Sequence, residues 1–279
     1  MRVGQPLRSI SLIVAVVIGV IGVVVITSPR HRAFYFGGLP DAAAPQALVT
    51  RGVNATLAVR QAAVTPPART RLVARDGRLD VPLAEPVPWT LPADGPPPGW
   101  TLKEFAGQAD IDLLRTDGRL ALRLRSDRSS FALYRDVTVD LAEHPLLSWS
   151  WKTLRLPAGG DARVAGRDDQ AAQIYVVFPR WPSPLTRSDV IGYVWDTNAP
   201  VDTRLTSLHG GNIKLIVVES GRQQVGQWRR YERNVAEDYA ALFNRKAPRV
   251  GKIAVMIDSN DTRSDAEVLV AGLAFARPR

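Results

Sequence analysis

The amino-acid sequence predicts a two-layer β-sandwich, and three observations indicate this fold class. Residues 174–178 (IYVVF) are apolar, rich in β-branched and aromatic types and followed by Pro179, as expected of a strand buried on both faces. Residues 119–125 (RLALRLR) place leucine at every second position, which is typical of a half-buried strand. The chain around them offers mostly further short strands, so we expect two packed sheets with residues 174–178 near their centre.

The composition is that of a globular chain with a basic charge balance. Of the 279 residues, 46% are hydrophobic and 23% are charged, which is enough apolar material for an ordinary core. The formal net charge of +9 could indicate a nucleic-acid partner, but the arginines are scattered and form no run. We therefore expect no nucleic-acid binding. The absence of cysteine excludes disulfides, thiol catalysis and cysteine-ligated zinc.

The N-terminal residues carry a membrane-insertion signal. Residues 10–26 form an uncharged run that begins at Ile10 and ends at Ile26, and two arginines precede it. No small-residue cleavage site follows, so residues 1–30 are interpreted as an uncleaved transmembrane anchor, with a cleaved signal peptide as the alternative. We place the N-terminus in the cytoplasm, which predicts an inner-membrane protein whose remaining chain lies on the periplasmic or extracytoplasmic side.

A spacer separates the anchor from the domain. Residues 31–98 are rich in Ala and Pro and show no sustained apolar period, so they are interpreted as an extended linker. A poorly recognised subdomain is the alternative. The folded domain is then expected to occupy residues 99–279.

The domain shows about ten strands and one short helix. Asn234, with Glu237 three residues later, resembles a capping box, and Pro248 follows the end of the helix. This proportion of strands predicts a jelly-roll type β-sandwich rather than a βαβ fold. The predicted strands are residues 111–114, 119–125, 130–139, 146–156, 171–179, 190–195, 213–219, 227–233, 252–257 and 267–275.

Five segments together carry a family resemblance. They are LLSWSWKTLRLPAGGD (146–161), RDDQAAQIYVVFP (167–179), GYVWDT (192–197), GQWRRYERNVAEDYAALF (226–243) and IAVMIDSNDT (253–262). In this order they resemble the bacterial family known as domain of unknown function 3047 (DUF3047). The resemblance implies an exported, single-domain protein similar to carbohydrate-binding jelly rolls. It implies no catalytic residues, because the family has no established activity.

Two acidic motifs are candidates for chemistry. Asp168 and Asp169 precede the buried strand and could serve as acid and base or as a metal ligand; alternatively, one caps backbone amides and the other is solvated. Asp258, Asn260 and Asp261, followed by Thr262, resemble a calcium loop, so Ca²⁺ is a possible cofactor. The EF-hand pattern is not met, and an Asx-rich turn explains the same residues.

Aromatic residues are the candidate glycan contacts, because the C–H face of a sugar stacks on an aromatic ring. We expect Trp181 and Trp195 at the surface, and Trp149 and Trp151 in the core. The predicted ligand-binding residues are Trp181, Tyr193, Trp195, Asp196 and Trp228.

Several enzyme classes lack their signatures. Serine-nucleophile, phosphate-loop and dinucleotide motifs are absent, and the three scattered histidines argue against catalytic zinc. Asp196 and Glu219 could be paired carboxylates for glycoside cleavage. The leading hypothesis is a tethered envelope protein that binds a glycan or envelope polymer without cleaving it. The alternatives are a hydrolase or lyase using Asp168 or Asp169, and an assembly protein that docks a protein partner along residues 227–233.

Overall fold

A computed structural model describes residues 72, 74–180 and 188–278 of the chain. The predicted anchor, residues 10–26, and the candidate Trp181 lie outside these ranges. Within them, no helix is long and apolar enough to cross a membrane.

Two β-sheets form the described domain, which confirms the expectation of a mainly β fold. Neighbouring strands in the described residues are antiparallel except for one parallel pair, Asp189–Asp196 with Ile213–Ser220. The first sheet contains β1 (Ala74–Arg75), β2 (Arg78–Asp80), β3 (Ala93–Asp94), β5 (Asp110–Thr116), β6 (Arg119–Asp127), β8 (Leu146–Arg155), β13 (Arg229–Asn234) and β15 (Asp265–Ala276). The second contains β4 (Thr101–Ala106), β7 (Ser130–Val139), β9 (Ala172–Phe178), β10 (Asp189–Asp196), β11 (Arg204–Thr206), β12 (Ile213–Ser220) and β14 (Val250–Asp258).

The order of strands places the predicted central strand in the middle of the second sheet. That order is β11-β12-β10-β9-β14-β7-β4, so β9 is hydrogen-bonded on both sides. The first sheet runs β1-β2-β15-β6-β5-β3, and β8 joins β15 to β13. Because β13 pairs only with β8 among the described strands, it is an edge strand, as its polar sequence suggested.

The core lies between the two sheets and contains the tryptophans of β8. Trp149 and Trp151 are buried, as expected, with the ring of Trp149 5.3 Å from that of Tyr193 and the ring of Trp151 6.3 Å from that of Trp195. Strand β9 contributes its alternate residues Ile174, Val176 and Phe178. The prediction that β9 is buried on both faces holds only in part, because Tyr175 and Val177 on its other side are partly exposed.

The described domain begins earlier in the chain than the sequence indicated. Strands β1, β2 and β3 lie within residues 31–98, the predicted linker, and β2 pairs with β15. Leu79, Val81 and Leu83 are buried in the core. The sequence did not reveal these strands because they are only two or three residues long, too short to show an alternation between the prolines.

One α-helix, α1 (Val235–Phe243), lies in the described part of the chain, where the capping motif predicted it. The Asn234 side chain accepts a hydrogen bond from the backbone N–H of Glu237 at 3.2 Å and donates one to its carboxylate at 2.7 Å. The hydroxyl of Tyr239 donates to the buried carboxylate of Asp189 at 2.5 Å, which fastens the helix to the start of β10.

Candidate functional site

The side of the second sheet that faces away from the first sheet, here called the outer face, carries the candidate site. Residues paired across neighbouring strands project to the same side of a sheet, so the register defines rows across this face. One row is Tyr134, Ala254, Tyr175, Gly192 and Leu215; the next is Lys103, Ala132, Met256, Gln173 and Val194.

One half of the outer face is covered by the chain itself. Residues 160–169, here called the covering segment, contact this half of the face through Ala162. In this covered half, Ala162 of the segment and Ala199 pack against Val194, Leu215 and Val217. The face has become a second, smaller core at this position.

The buried carboxylate of Asp196 holds the covering segment in place. It accepts hydrogen bonds from the backbone N–H groups of Ala162 at 2.9 Å, Asn198 at 2.8 Å and Ala199 at 2.7 Å. Burial raises the pKa of Asp196, and these three donors oppose that rise. The carboxylate is therefore a structural clamp, and its complete burial keeps it from a ligand.

The other half of the face, formed by β4, β7, β14 and β9, is here called the open half. Tyr134, Tyr175, Met256 and Lys103 are partly exposed there, above a floor that includes Ala132 and Ala254. Burial raises the pKa of Tyr134 to about 12 and that of Tyr175 well above its ordinary value. Both phenols therefore remain neutral hydrogen-bond donors at ordinary pH.

Gly192 allows the ring of Tyr175 to lie against the neighbouring strand. A Cβ atom at position 192 would come within 2.6 Å of Cε1 of Tyr175 and of Cδ2 of Leu215. The hydroxyl of Tyr175 donates to Oε1 of Gln173 at 2.6 Å, which fixes the ring further. Tyr175 is thus an aromatic platform held in one orientation at the boundary between the two halves.

Asp168 and His209 meet beside this platform. Oδ2 of Asp168 lies 3.3 Å from Nε2 of His209, and Oδ1 accepts a hydrogen bond from the Gln170 amide at 2.9 Å. The Asp168 side chain is only 4% exposed, whereas that of His209 is 60% exposed. The hydrogen bond to Asp168 raises the pKa of His209. Of this pair, the imidazole is the group that a ligand can reach.

Asp169 points away from solvent and organises a turn. Its carboxylate accepts hydrogen bonds from the backbone N–H of Asp261 at 3.1 Å, and from the N–H and hydroxyl of Thr262 at 2.6 and 2.5 Å. This matches the alternative in which one aspartate caps backbone amides. The expectation that its neighbour Asp168 is then solvated is wrong, because Asp168 is buried against His209.

The residues proposed as calcium ligands form part of the same turn. Asp258 accepts from the Asn260 N–H at 3.4 Å, and the Asn260 amide donates to Asp261 at 2.8 Å. Burial raises the pKa of Asp258 well above its ordinary value, and the charge of Asp169 raises it further. These contacts are those of an Asx-rich turn. The described ranges contain no group of three or more His, Cys, Asp or Glu residues placed to hold a metal ion.

The predicted aromatic contacts do not form one site. Trp195 is fully buried and donates to the Gly221 carbonyl at 3.0 Å, so its expected surface position is wrong. The reason is that alternation along β10, an inner strand of its sheet, directs Trp195 into the core. Tyr193 is also buried, and its hydroxyl donates to Asp238 at 2.9 Å.

Trp228 lies on the outer side of the first sheet, away from the open half. Its indole N–H donates to Asp117 at 2.7 Å, and the guanidinium of Arg119 lies 4.6 Å from the ring centre. Glu219, suggested as a partner of Asp196, instead accepts from the Tyr231 hydroxyl at 2.6 Å and lies 3.5 Å from Arg229. Asp196 and Glu219 are thus each engaged in separate contacts.

The residues that sequence reasoning missed are Tyr134, Tyr175 and Lys103. The signal for Tyr175 was the alternation within β9, which separates Gln173, Tyr175 and Val177 from the core residues. Because residues 174–178 were interpreted as buried on both faces, this alternation was not used to predict the exposure of Tyr175. No sequence signal placed Lys103 and Tyr134 on the same face, because that depends on the pairing of β4 with β7.

Three solved structures of other proteins resemble this chain. Endoglucanase Cel12A from Rhodothermus marinus is 10% identical, with 66% of this chain and 100% of that chain covered and a TM-score of 0.38. The xyloglucanase domain of NopAA from Sinorhizobium fredii, in complex with cellobiose, is 9% identical, with 68% of this chain and 97% of that chain covered and a TM-score of 0.39. The family 11 xylanase from Neocallimastix patriciarum is 10% identical, with 66% of this chain and 94% of that chain covered and a TM-score of 0.34. Similarity at this level says nothing about what this chain binds. No curated protein matches the chain. Residues 98–274 match the family described as protein of unknown function (DUF3047), and the chain belongs to that family.

Proposed function

We propose that this protein binds a glycan on the open half of the outer face. The observation that carries the proposal is the ring of Tyr175, packed over Gly192 and fixed by its hydrogen bond to Gln173. A ring held in one orientation before binding loses little conformational entropy when a sugar stacks on it. It is therefore a suitable platform for the apolar face of a pyranose.

Further groups around this platform suit a chain of several sugars. Tyr134 lies in the same row as Tyr175, two strands away, which corresponds to about 10 Å across the sheet. Gln173 lies between the two halves, and Lys252, paired with Asp136 at 2.5 Å, lies beyond Tyr134 on the same face. The partly exposed charged groups of Lys252 and Asp136 can hydrogen-bond to sugar hydroxyls, whereas Gln173 is buried and fixes the Tyr175 hydroxyl.

The setting we propose for this binding is the cell envelope. The apolar run of residues 10–26 supports an inner-membrane anchor, with the sandwich on the periplasmic or extracytoplasmic side. Protease protection in spheroplasts tests this arrangement. The sandwich should be digested from outside, while a tag at the N-terminus should be protected.

Affinity electrophoresis tests the glycan proposal. The full-length chain, in a polyoxyethylene detergent that carries no sugar headgroup, is run through gels containing a polysaccharide from a panel of neutral and acidic polymers. At least one polymer should retard the protein, and Tyr134→Ala and Tyr175→Ala should weaken retardation about tenfold, the loss expected for one stacked ring. Trp228→Ala is the matched control, because it removes an aromatic ring from the opposite side of the domain. Absence of retardation by every polymer contradicts the proposal.

A catalytic role is the second candidate, and the exposed His209 favours it. Asp169 is engaged by three donors and Asp168 is buried, so neither is free to serve alone as acid or base. In this version His209 transfers the proton during polysaccharide cleavage, and Asp168 orients its ring. Release of new sugar ends from a retained polymer, abolished in His209→Ala but preserved in Trp228→Ala, would favour it. Binding without release of sugar ends would leave the non-catalytic function.

The third candidate function is docking of a protein partner, and the edge position of strand β13 supports it. Residues Arg229 and Arg230 are exposed along it. Strand addition at this edge predicts that a proline at position 230 reduces co-purification of the partner while leaving glycan retardation unchanged.

A further inference from the structure

Lys103, on the open half, is a cation that pairs with no anion among the described residues. It lies on β4 opposite Ala132, in the row that continues to Met256 and Gln173. Its ammonium lies 5.1 Å from the centre of the Phe105 ring, and it forms no ion pair with any of the described residues. The side chain is partly buried, and this burial lowers the pKa of Lys103.

The other lysine on this half shows the ordinary arrangement. Lys252 is at a similar level of exposure, but its ammonium lies 2.5 Å from the carboxylate of Asp136. Removing an ammonium partly from water without a partner is unfavourable, so proteins usually pair such groups. In the unbound protein, the partial burial of the Lys103 ammonium is therefore unfavourable. An anion that binds beside it would offset this free energy cost.

The position of Lys103 next to Tyr134 indicates what that anion is attached to. Thr101 is opposite Tyr134 and Lys103 is opposite Ala132, so Lys103 and Tyr134 are diagonal neighbours with Cα atoms about 7 Å apart. A sugar ring stacked on Tyr134 would hold a substituent of its own ring within reach of the long lysine side chain. A carboxylate attached directly to the ring fits this short separation.

We infer that the glycan bound at the open half is a polymer of uronic acids, and that Lys103 pairs with one of its carboxylates. This inference rests on the proposed glycan-binding function and specifies its substrate class. Lys103 is then a specificity residue, and Tyr134 and Tyr175 supply stacking that any pyranose could use.

The test compares an acidic polymer with a neutral polymer on the full-length chain in the same detergent. Polygalacturonate is the uronate probe, hydroxyethylcellulose the neutral probe and dextran sulfate the probe for sulfate esters. Lys103→Gln should weaken binding to polygalacturonate about tenfold, as expected when one partner of a charge-assisted hydrogen bond is removed. Lys103→Arg should retain most of the binding. Lys246→Gln, which removes an exposed charge elsewhere, should bind like the wild type.

Each outcome separates this inference from the function on which it rests. If hydroxyethylcellulose binds as tightly as polygalacturonate, and Lys103→Gln changes neither, the acidic specificity is wrong while glycan binding stands. Tighter binding of dextran sulfate than of polygalacturonate overturns the assignment to uronates. If no polymer retards the protein, the proposed function itself fails. Thermal unfolding of Lys103→Gln should match or exceed the wild type, since the substitution removes an unpaired, partly buried charge.

Discussion

The two halves of the outer face belong to one sheet, yet one half is buried and the other is partly exposed. On the covered half, Val194, Leu215 and Val217 are buried beneath Ala162 and Ala199. On the open half, Tyr134, Tyr175 and Met256 stay partly exposed beside Lys103. Strand alternation decides only which side a residue faces. Whether that side becomes core or binding surface depends on a loop that returns to cover it.

Polar side chains meet at the boundary between the halves, because the loop that covers one half ends there. The covering segment ends there at Asp168 and Asp169, and the carboxylate of Asp169 accepts hydrogen bonds from the turn that follows β14. Asp168 engages a side chain that solvent reaches, whereas Asp169 engages buried backbone groups. Two adjacent residues of one type therefore have different roles, and four predictions test how the boundary is maintained.

The largest expected effect comes from removing the clamp of the covered half. Asp196→Ala deletes the acceptor of three backbone N–H groups and leaves these donors buried. We expect the free energy of unfolding to fall by about 3 to 5 kcal/mol. Urea denaturation measures this. A loss below about 1 kcal/mol would show that the covering segment is held by its apolar contacts instead.

Gly192→Ala tests the platform at the boundary. The new methyl group would overlap Tyr175 and Leu215, so the ring must shift and stability should fall by about 1 to 3 kcal/mol. Glycan retardation should weaken with it. Gly211→Ala is the matched control, since a Cβ atom there meets nothing within 4 Å. Unaltered binding by a folded Gly192→Ala variant would contradict the role of Tyr175.

Asp258→Asn tests the buried acid beside Asp169. Burial raises the pKa of Asp258 above its ordinary 3.8, so the folded state favours the protonated form. Its contribution to stability is therefore fully present below pH 3.8 and is lost as the pH rises through the raised pKa. The uncharged asparagine should make the variant at least as stable as the wild type at pH 7, with the advantage shrinking towards pH 4. Asp202→Asn, at an exposed position, is the control; a constant difference across this range would contradict the prediction.

The smallest expected effect concerns His209, because its side chain is largely exposed. The pKa of His209 is raised above 6.5 by Asp168, so the pair stabilises the fold fully below pH 6.5 and loses this contribution as the pH rises through the raised pKa. The stability of the wild type should therefore decline relative to His209→Gln over that window. An NMR titration provides the independent check, in which Asp168→Asn should lower the pKa of His209. No movement of that pKa would show that the pair is not formed in solution.

Local pattern predicted most of the elements but not the site. Strand β7 was predicted at its observed bounds, and β6, β9, β10 and β12 to within two residues at either end, because alternation and apolar runs are properties of short segments. Helix α1 was found through its Asn234 cap. Among the proposed contacts, the burial of Trp195 and the exposure of Tyr175 were missed, although the alternation along β10 and β9 carried a signal for both; the position of Lys103 beside Tyr134 depends on which strands are neighbours.

The sequence by itself determined the fold class, the alternation of the strands and the position of the helix. Only the tertiary structure decided that Asp169 caps a turn 92 residues away, that Asp196 clamps a segment 34 residues before it, and that Lys103 forms no ion pair within the part of the chain that the structure describes. The physical reason is the separation along the chain over which each property is set. Alternation is fixed by each residue and its immediate neighbours, whereas burial, pairing and accessibility are fixed by segments that meet only after the sheets have formed.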